Sequence, residues 1–246
     1  MNHPRPIALL GCEVFLSELR MVARGMSHIV IEKLLEMGLH DRPPEMRRAL
    51  QAAVDELDSR DDIEAIVLAY GLCGCGTAGL CAKRHLLVIP RAHDCITVLL
   101  GSKELHAQRA AACPGCYHYT PGWNRARRVP GPDREEQLRR DFAAKFDSED
   151  VEFLLESERD LWRHYHTATF IDPGTPDAPE ELAYTRRCAD ALGWKCEHVR
   201  GDPALLRTLL TGPWDDERFL VVPPGRRIAM SNDDRVMKTA PGCEAT

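Results

Sequence analysis

The sequence predicts an α/β fold with mostly parallel sheets. Short, continuously apolar runs, which are typical of strands buried on both faces, alternate with longer segments whose apolar residues recur at helical spacing. A strand–helix–strand order of this kind favours parallel pairing through right-handed crossovers. With 246 residues, of which 44% are hydrophobic, the chain is also long enough to form a core without help from a disulfide or a metal.

The first half of the chain supplies the clearest elements. Four apolar runs are predicted to be strands, at residues 6–10, 28–31, 63–69 and 86–90. A helix is expected over residues 14–24, and Pro43 opens a second helix whose apolar residues share one face. We expect these elements to form a first lobe over residues 1–112.

The second half repeats the rhythm after a long interruption. Residues 113–133 are rich in Pro, Gly and Arg and are expected to be a connection, and residues 135–165 are charged and helical in composition. Further strands are predicted at 167–171, 197–199 and 219–222, with helices at 180–192 and 203–210. The tail after Arg226 is expected to be loosely ordered. The predicted architecture is therefore two Rossmann-like lobes, the second over residues 113–246.

Composition excludes several classes of function. A net charge of −6 and an aromatic content of 6% argue against a nucleic-acid-binding protein. No apolar stretch approaches the roughly 20 residues of a membrane-spanning helix, and the apolar run before Cys12 is too short for a signal peptide. A cytoplasmic protein is therefore predicted. Its 10 cysteines are not expected to form structural disulfides in that compartment, so clustered ones point to metal or thiol chemistry.

Three cysteines follow three of the predicted strands of the first lobe. Cys12 ends the first strand, Cys73 follows the 63–69 strand, and Cys95 follows the 86–90 strand. Since parallel strands end at one edge of a sheet, these cysteines are expected to meet at the carboxyl edge of the first sheet. Three thiolates suit zinc or an iron–sulfur cluster. The competing interpretation is that they are ordinary small core residues.

Other residues are candidates for the same site. His93 and His40 are predicted as a further ligand or a proton donor, and Arg91 as the group that binds an anionic part of the substrate. Three glycines of the loop are expected to bring backbone amides close to a ligand, namely Gly71, Gly74 and Gly76. Trp123 is predicted to cover the pocket. Each of these residues also has a purely structural interpretation, as a cap, a turn or a core residue.

A second cysteine motif lies in the connection. Cys113-Pro114-Gly115-Cys116 has the spacing of a redox dithiol or of half a zinc knuckle. No predicted strand directly precedes it and no second pair follows at zinc-ribbon spacing, so the motif gives weak support to either interpretation.

Three stretches of the sequence are similar to a known family, namely Tyr70-Gly71-Leu72-Cys73-Gly74, Pro90-Arg91-Ala92-His93-Asp94-Cys95-Ile96-Thr97 and Tyr119-Thr120-Pro121-Gly122-Trp123. In these stretches the chain resembles the uncharacterised bacterial and archaeal family called domain of unknown function 1638. The resemblance implies an association with corrinoid-dependent methyl-transfer systems, in which such proteins accompany methyltransferases and corrinoid carriers. It implies no established activity. The extra cysteines Cys75 and Cys116 depart from the family pattern.

The leading functional hypothesis is a zinc-dependent methyl-transfer enzyme or component linked to corrinoid metabolism. Zinc on Cys12, Cys73 and Cys95 would activate a substrate thiol toward a methyl donor, and a corrinoid protein or a methyltransferase would be the partner. One alternative is an iron–sulfur protein with a three-cysteine cluster. Another is a non-enzymatic accessory protein that binds a corrinoid or a metal and meets its partner through residues 125–134. An α/β protein with inert cysteines remains the plain interpretation.

Overall fold

The computed structural model describes residues 5–243, and these contain three sheets. The strands are β1 (Ile7–Cys12), β2 (Ile29–Leu35), β3 (Ala65–Ala69), β4 (Leu86–Pro90), β5 (Cys116–Tyr119), β6 (Thr167–Asp172), β7 (Lys195–Arg200), β8 (Phe219–Val222), β9 (Arg226–Met230) and β10 (Met237–Pro241). The helices are α1 (Leu16–Val22), α2 (Pro43–Asp58), α3 (Cys95–Leu100), α4 (Lys103–Ala112), α5 (Pro121–Arg125), α6 (Pro132–Ala143), α7 (Ser148–Leu161), α8 (Ala178–Leu192) and α9 (Ala204–Thr211). The predicted α/β class is confirmed.

The largest sheet has the strand order β2-β1-β3-β4-β8. Its first four strands are parallel, and β8 runs antiparallel to β4. Every residue of β3 is buried, as expected for a strand that is covered on both faces. The continuous apolar runs of the sequence have this cause.

Helices cover both faces of this sheet. Leu50, Val54 and Leu57 of α2 join the core on one face. Four buried leucines of α9 belong to the other face, where this helix contacts α1, β3 and β4. Helical spacing of apolar residues predicted both α2 and α9, because one stripe of each helix is buried.

A second sheet, β5-β6-β7, is parallel throughout. The core of this sheet contains the buried side chains of Tyr119, Phe170 and Tyr184, and α8 packs on one face of the sheet. Strand β5 falls within residues 113–133, where only a connection was expected. The strand is four residues long and carries Cys116 and His118 on one face, so it lacks an apolar run.

The chain divides into two compact units, and the division corrects the predicted lobes. One unit takes the chain up to His106 and again from Asp202 onward, and the other takes residues 107–201. The chain first passes from one unit to the other after His106, close to the predicted boundary at 112. Residues 202–246 were assigned to the second lobe, but β8 completes the first sheet beside β4, so this segment belongs to the first unit.

The C-terminal segment is more ordered than predicted. Residues after Arg226 form the antiparallel hairpin β9–β10, and Ile228 exchanges backbone hydrogen bonds with Gly79 and Leu80. A disulfide joins Cys81 to Cys243, with a Cα–Cα distance of 5.5 Å. The expectation of no structural disulfide is therefore wrong for this pair. The hairpin holds the loop that follows β3.

No helix among residues 5–243 is both long enough and apolar enough to cross a membrane.

Candidate functional site

The strand order changes direction between β1 and β3, and this topological switch point at their carboxyl ends is called the fork. From β1 the chain proceeds to β2 on one side, while β3 pairs with the other side of β1. Connections that leave neighbouring strands in opposite directions open a crevice at their carboxyl ends, where ligands of open α/β sheets bind. Cys12 is the last residue of β1, and Cys73 lies four residues after β3. Both therefore lie at this fork.

Tyr70 joins the two strands at the fork. Its side chain is 3% exposed, and its hydroxyl donates a hydrogen bond to the Gly11 carbonyl over 3.0 Å. The thiols of Cys12 and Cys73 are both close enough to interact electrostatically with this phenol. Burial raises the Tyr70 pKa well above its usual value, and the two thiols raise it further, so the phenol stays protonated.

The loop after β3 has an unusual backbone. Cys73, Gly74 and Cys75 all have positive φ angles, of 47°, 61° and 70°. A left-handed conformation costs a non-glycine residue about 1–2 kcal/mol. Two cysteines in this conformation, one on each side of Gly74, therefore indicate that the surrounding structure enforces it. Strain of this kind is concentrated at functional sites.

The neighbouring β4 loop enforces this conformation. The N–H of Leu72 donates to the Ala92 carbonyl over 2.8 Å, and the N–H of Cys73 donates to the His93 carbonyl over 2.9 Å. These two hydrogen bonds continue the β3–β4 pairing beyond the strand ends. They set the Cys73 side chain beside the start of α3.

The Cys73 thiol accepts hydrogen bonds from backbone N–H groups on both loops. One comes from Gly71 on its own loop, and the other from Cys95 at the start of α3. Asp94 caps this helix, with Oδ1 accepting from the Thr97 N–H over 2.8 Å. Cys12 and Asp94 both lie within electrostatic range of the Cys73 thiol. The structure therefore brings Cys12, Cys73 and the Cys95 backbone together.

Burial dominates the electrostatics of the two thiols. Loss of hydration raises the pKa of Cys73 to about 12 and that of Cys12 to about 11. Hydrogen bonds from backbone N–H groups oppose both shifts but do not cancel them. Both thiols are therefore protonated at neutral pH, and on their own they are poor nucleophiles.

The structure assigns different roles to the three glycines. A Cβ on Gly71 would lie 2.7 Å from the backbone nitrogen of Asp94, and a Cβ on Gly76 would lie 2.4 Å from the Met46 sulfur. Internal packing against the Asp94 backbone thus requires a glycine at position 71, and the predicted approach of a ligand to Gly71 and Gly76 stays a prediction. Gly74 is exposed, and a Cβ there would find its nearest atoms at 3.8 Å. Only Gly74 keeps room for an incoming group.

The backbones of both candidate histidines lie at the cysteine loop, and the predicted role of their imidazoles as a ligand or a proton donor stays a prediction. The His93 side chain is exposed, and this residue contributes its carbonyl to the Cys73 loop. The His40 ring contacts Asp41, with Nε2 3.3 Å from a carboxylate oxygen. The backbone of His40 does approach the cysteine loop, since its carbonyl would lie 3.9 Å from a Cβ on Gly74.

Arg91 has a structural role in place of the predicted substrate-binding one. It is 5% exposed, and its Nε and Nη2 donate to the carbonyl and the carboxylate of Asp216, both over 2.8 Å. Its Nη1 donates to the carbonyls of Arg235 and Met237. With every nitrogen of the guanidinium engaged, Arg91 holds the C-terminal segment against the first sheet.

Trp123 lies in the unit formed by residues 107–201. Its backbone N–H donates to the Thr120 hydroxyl over 3.1 Å at the start of α5, and its side chain packs against the core around Tyr119. Trp123 thus packs on the core of this unit, and its predicted role as a cover over the cysteine site stays a prediction. Tyr70 and Asp94 are the side chains that sequence reasoning missed. Tyr70 directly follows the predicted 63–69 strand, and Asp94 directly precedes Cys95, so their positions beside the predicted cysteines were the available signal.

The donor set at the fork is suited to a soft metal but is not arranged as a complete metal site. Within residues 5–243, no group of three or more His, Cys, Asp or Glu side chains is placed to hold an ion. Cys12 and Cys73 supply two neighbouring sulfur atoms. The backbone N–H of Cys95 donates to the Cys73 sulfur, which places the Cys95 residue next to the pair. That the Cys95 sulfur completes a three-sulfur site stays a prediction.

Comparison with protein families gives one result. The family model described as protein of unknown function (DUF1638) matches residues 34–210. The chain belongs to this family. The DUF1638 match includes the Cys73 loop, the β4–α3 junction and the whole second unit, whereas Cys12 precedes it. Comparison with curated proteins and with solved structures gives no match.

Proposed function

We propose that this DUF1638 protein is a zinc-thiolate protein that takes part in methyl transfer to a thiol. Cys12, Cys73 and Cys95 hold the ion at the carboxyl edge of the first of two Rossmann-like units. The methyl donor belongs to corrinoid metabolism, and the acceptor is a small-molecule thiol. The observation that carries the proposal is the pair of neighbouring, partly buried thiols of Cys12 and Cys73 at the fork between β1 and β3.

Burial of these thiols favours a metal over a cysteine nucleophile. With pKa values of about 11 and 12, only about one thiol in 10⁴ or fewer is a thiolate at pH 7. A soft divalent cation reverses this balance because a coordinating thiol is deprotonated outright.

Zinc, when bound, lowers the pKa of a substrate thiol and presents it as a thiolate, which is the nucleophile that methyl transfer requires. The chain's own residues prepare the site. The Gly71 and Cys95 N–H groups, which donate to the Cys73 sulfur, stabilise negative charge there. The Tyr70 hydroxyl fixes the spacing of β1 and β3 through Gly11, and the open surface at Gly74 gives a substrate access to the loop.

The first experiment measures metal in untagged protein purified without oxygen. We expect about one zinc per chain and a colourless solution. Cys12→Ser, Cys73→Ser and Cys95→Ser should each lower the zinc content, whereas Cys196→Ser, an exposed cysteine in β7, is the matched control and should keep it. A brown protein with iron and sulfide would identify the iron–sulfur alternative. Wild-type zinc content in all variants would refute the ligand assignment.

The second experiment separates an enzyme from a carrier. Loaded protein is mixed with a methylated corrinoid and a small thiol, and thioether formation is measured by mass spectrometry. Turnover that Cys73→Ser abolishes and Cys196→Ser retains is expected. Tight zinc or corrinoid binding without turnover would contradict the enzymatic part and identify an accessory protein.

A further inference from the structure

A second thiol pair lies in the other unit, at the start of β5. The N–H of Cys116 donates to the Cys113 carbonyl over 3.2 Å, so residues 113–116 form a tight turn. Such a turn brings its first and last Cα atoms within about 7 Å, close to the range that a disulfide spans. The Cys113 side chain is also in hydrogen-bond contact with the Cys116 thiol. The two sulfur atoms are therefore placed to bond with little backbone movement.

The segment before β6 clamps this turn. The N–H of His166 donates to the Gly115 carbonyl over 2.9 Å. A Cβ on Gly115 would lie 2.4 Å from the His166 Nε2 atom, so a side chain at this position would drive the imidazole away. The glycine of the motif is thus needed for the contact, and the contact holds the turn that pairs the cysteines.

Cys116 lies on a polar face of the second sheet, which is not part of the proposed zinc site. Strand register places Cys116, His118, Thr169 and Glu197 on one face of the sheet. The Cys116 Sγ atom lies 3.9 Å from the His118 Nε2 atom. Glu197 accepts from the Thr169 hydroxyl over 3.1 Å. An imidazole within reach of the thiol is the arrangement that converts a cysteine into a nucleophile.

Arg109 adds a cation to this surface. Its Nη2 lies 2.5 Å from a Glu197 carboxylate oxygen, and the guanidinium favours the thiolate form of Cys116. Its Nε–H is buried and makes no hydrogen bond among residues 5–243. An unpaired buried donor next to a thiol is suited to an anionic group, either the thiolate itself or an acidic group on a bound molecule.

We propose that Cys113 and Cys116 are a redox-active dithiol that reduces small-molecule disulfides. His118 takes the proton of the Cys116 thiol, and the thiolate so formed attacks one sulfur of the disulfide and displaces the other as a thiolate, which the imidazolium then protonates. The Cys113 thiol next attacks the Cys116 sulfur, and its proton passes to the second substrate sulfur, which leaves as a thiol. Two electrons leave the cysteine pair, which closes as a disulfide, and the substrate has become two thiols.

Burial raises the pKa of the Cys116 thiol, and Cys113 raises it further. A leaving thiol of high pKa departs slowly, so the Cys113–Cys116 disulfide is expected to persist once formed. The pair is thus suited to donating electrons, and its disulfide is expected to be re-reduced slowly by a mild thiol.

The test uses the full-length protein in buffers of graded reduced and oxidised glutathione. Free thiols are alkylated, and the Cys113–Cys116 peptide is analysed by mass spectrometry. We expect this peptide to lose both alkyl groups together as the buffer becomes oxidising. Cys113→Ser should instead accumulate one glutathione on Cys116, and His118→Asn should slow the reaction. Cys196→Ser is the matched control and should behave as wild type.

Three results would overturn the proposal. The first is a pair that stays fully alkylated in oxidised glutathione, and the second is a wild-type protein that stops at the mixed disulfide. The third is a pair whose thiols become reactive only after a chelator is added, because the motif would then bind a metal. None of these results bears on the zinc proposal, because that depends on cysteines of the other unit.

Discussion

Gly71→Ala tests how closely the two loops at the fork approach each other. The added methyl group would lie 2.7–2.8 Å from the N, Cα and C atoms of Asp94, whereas ordinary contacts begin at 3.4 Å. The loops would have to separate by about 0.7 Å, and no rotamer change relieves the clash because both partners are backbone. Overpacking typically costs 1–3 kcal/mol, so we expect a loss of about 3 kcal/mol of unfolding free energy.

Gly74→Ala is the matched control on the same loop. A Cβ there meets nothing closer than 3.8 Å, so only the left-handed backbone at φ 61° opposes the change, at a cost of about 1 kcal/mol. Urea unfolding gives both free energies, and hydrogen exchange of the Leu72 and Cys73 amides reports on the contact itself. Equal stability of the two variants, or unchanged exchange in Gly71→Ala, would show that the loops are not in contact.

Three further substitutions test hydrogen bonds of the first unit. Asp58 accepts from three backbone N–H groups and from His85. Burial alone would raise its pKa, but these bonds hold it below the usual 3.8, so the stability that they contribute is lost as pH falls through the folded value. Asp58→Asn should lower the free energy of unfolding by about 2 kcal/mol at pH 7 in chemical unfolding. The difference in unfolding free energy between variant and wild type should narrow below about pH 3.8, and a difference that stays constant with pH would contradict this. Arg91→Lys should lower the unfolding free energy by about 2 kcal/mol and speed proteolysis of the C-terminal segment, because an ammonium group cannot make all the hydrogen bonds of the guanidinium. Unchanged proteolysis would contradict the role of Arg91 in holding this segment. Tyr70→Phe, which loses one buried hydrogen bond, should cost about 1 kcal/mol, and a neutral effect would contradict the link between β1 and β3.

Most of the first sheet was predictable because its strands are buried on both faces. Burial makes β1, β3 and β4 continuous apolar runs, and an apolar run is visible in a sequence. The run that forms β8 was equally visible, but apolarity does not reveal a strand's direction or its neighbour. The antiparallel pairing of β8 with β4, which returns the chain to the first unit, therefore needed the structure.

The C-terminal hairpin illustrates the opposite case. Strands β9 and β10 pair with each other, and most of their residues are only partly buried or exposed, so neither forms an apolar run. Their positions depend on contacts with the distant loop after β3 and on the Cys81–Cys243 disulfide. Long-range contacts of this kind leave no local pattern in the sequence.

The candidate site was predictable to the extent that topology determined it. Parallel strands end at one edge, which suffices to bring Cys12 near Cys73. The role of Arg91 was not predictable, because a buried arginine that binds carbonyl groups and one that binds a substrate have the same local sequence. The same holds for Gly71, whose partner is the backbone of Asp94.

Zinc K-edge X-ray absorption of anaerobically prepared protein tests the shared sulfur site most directly. Three sulfur neighbours at about 2.3 Å are expected in the wild type, and two in each of Cys12→Ser, Cys73→Ser and Cys95→Ser. A first coordination shell of nitrogen and oxygen alone, or a sulfur count that none of these substitutions changes, would show that the three cysteines do not bind a common ion.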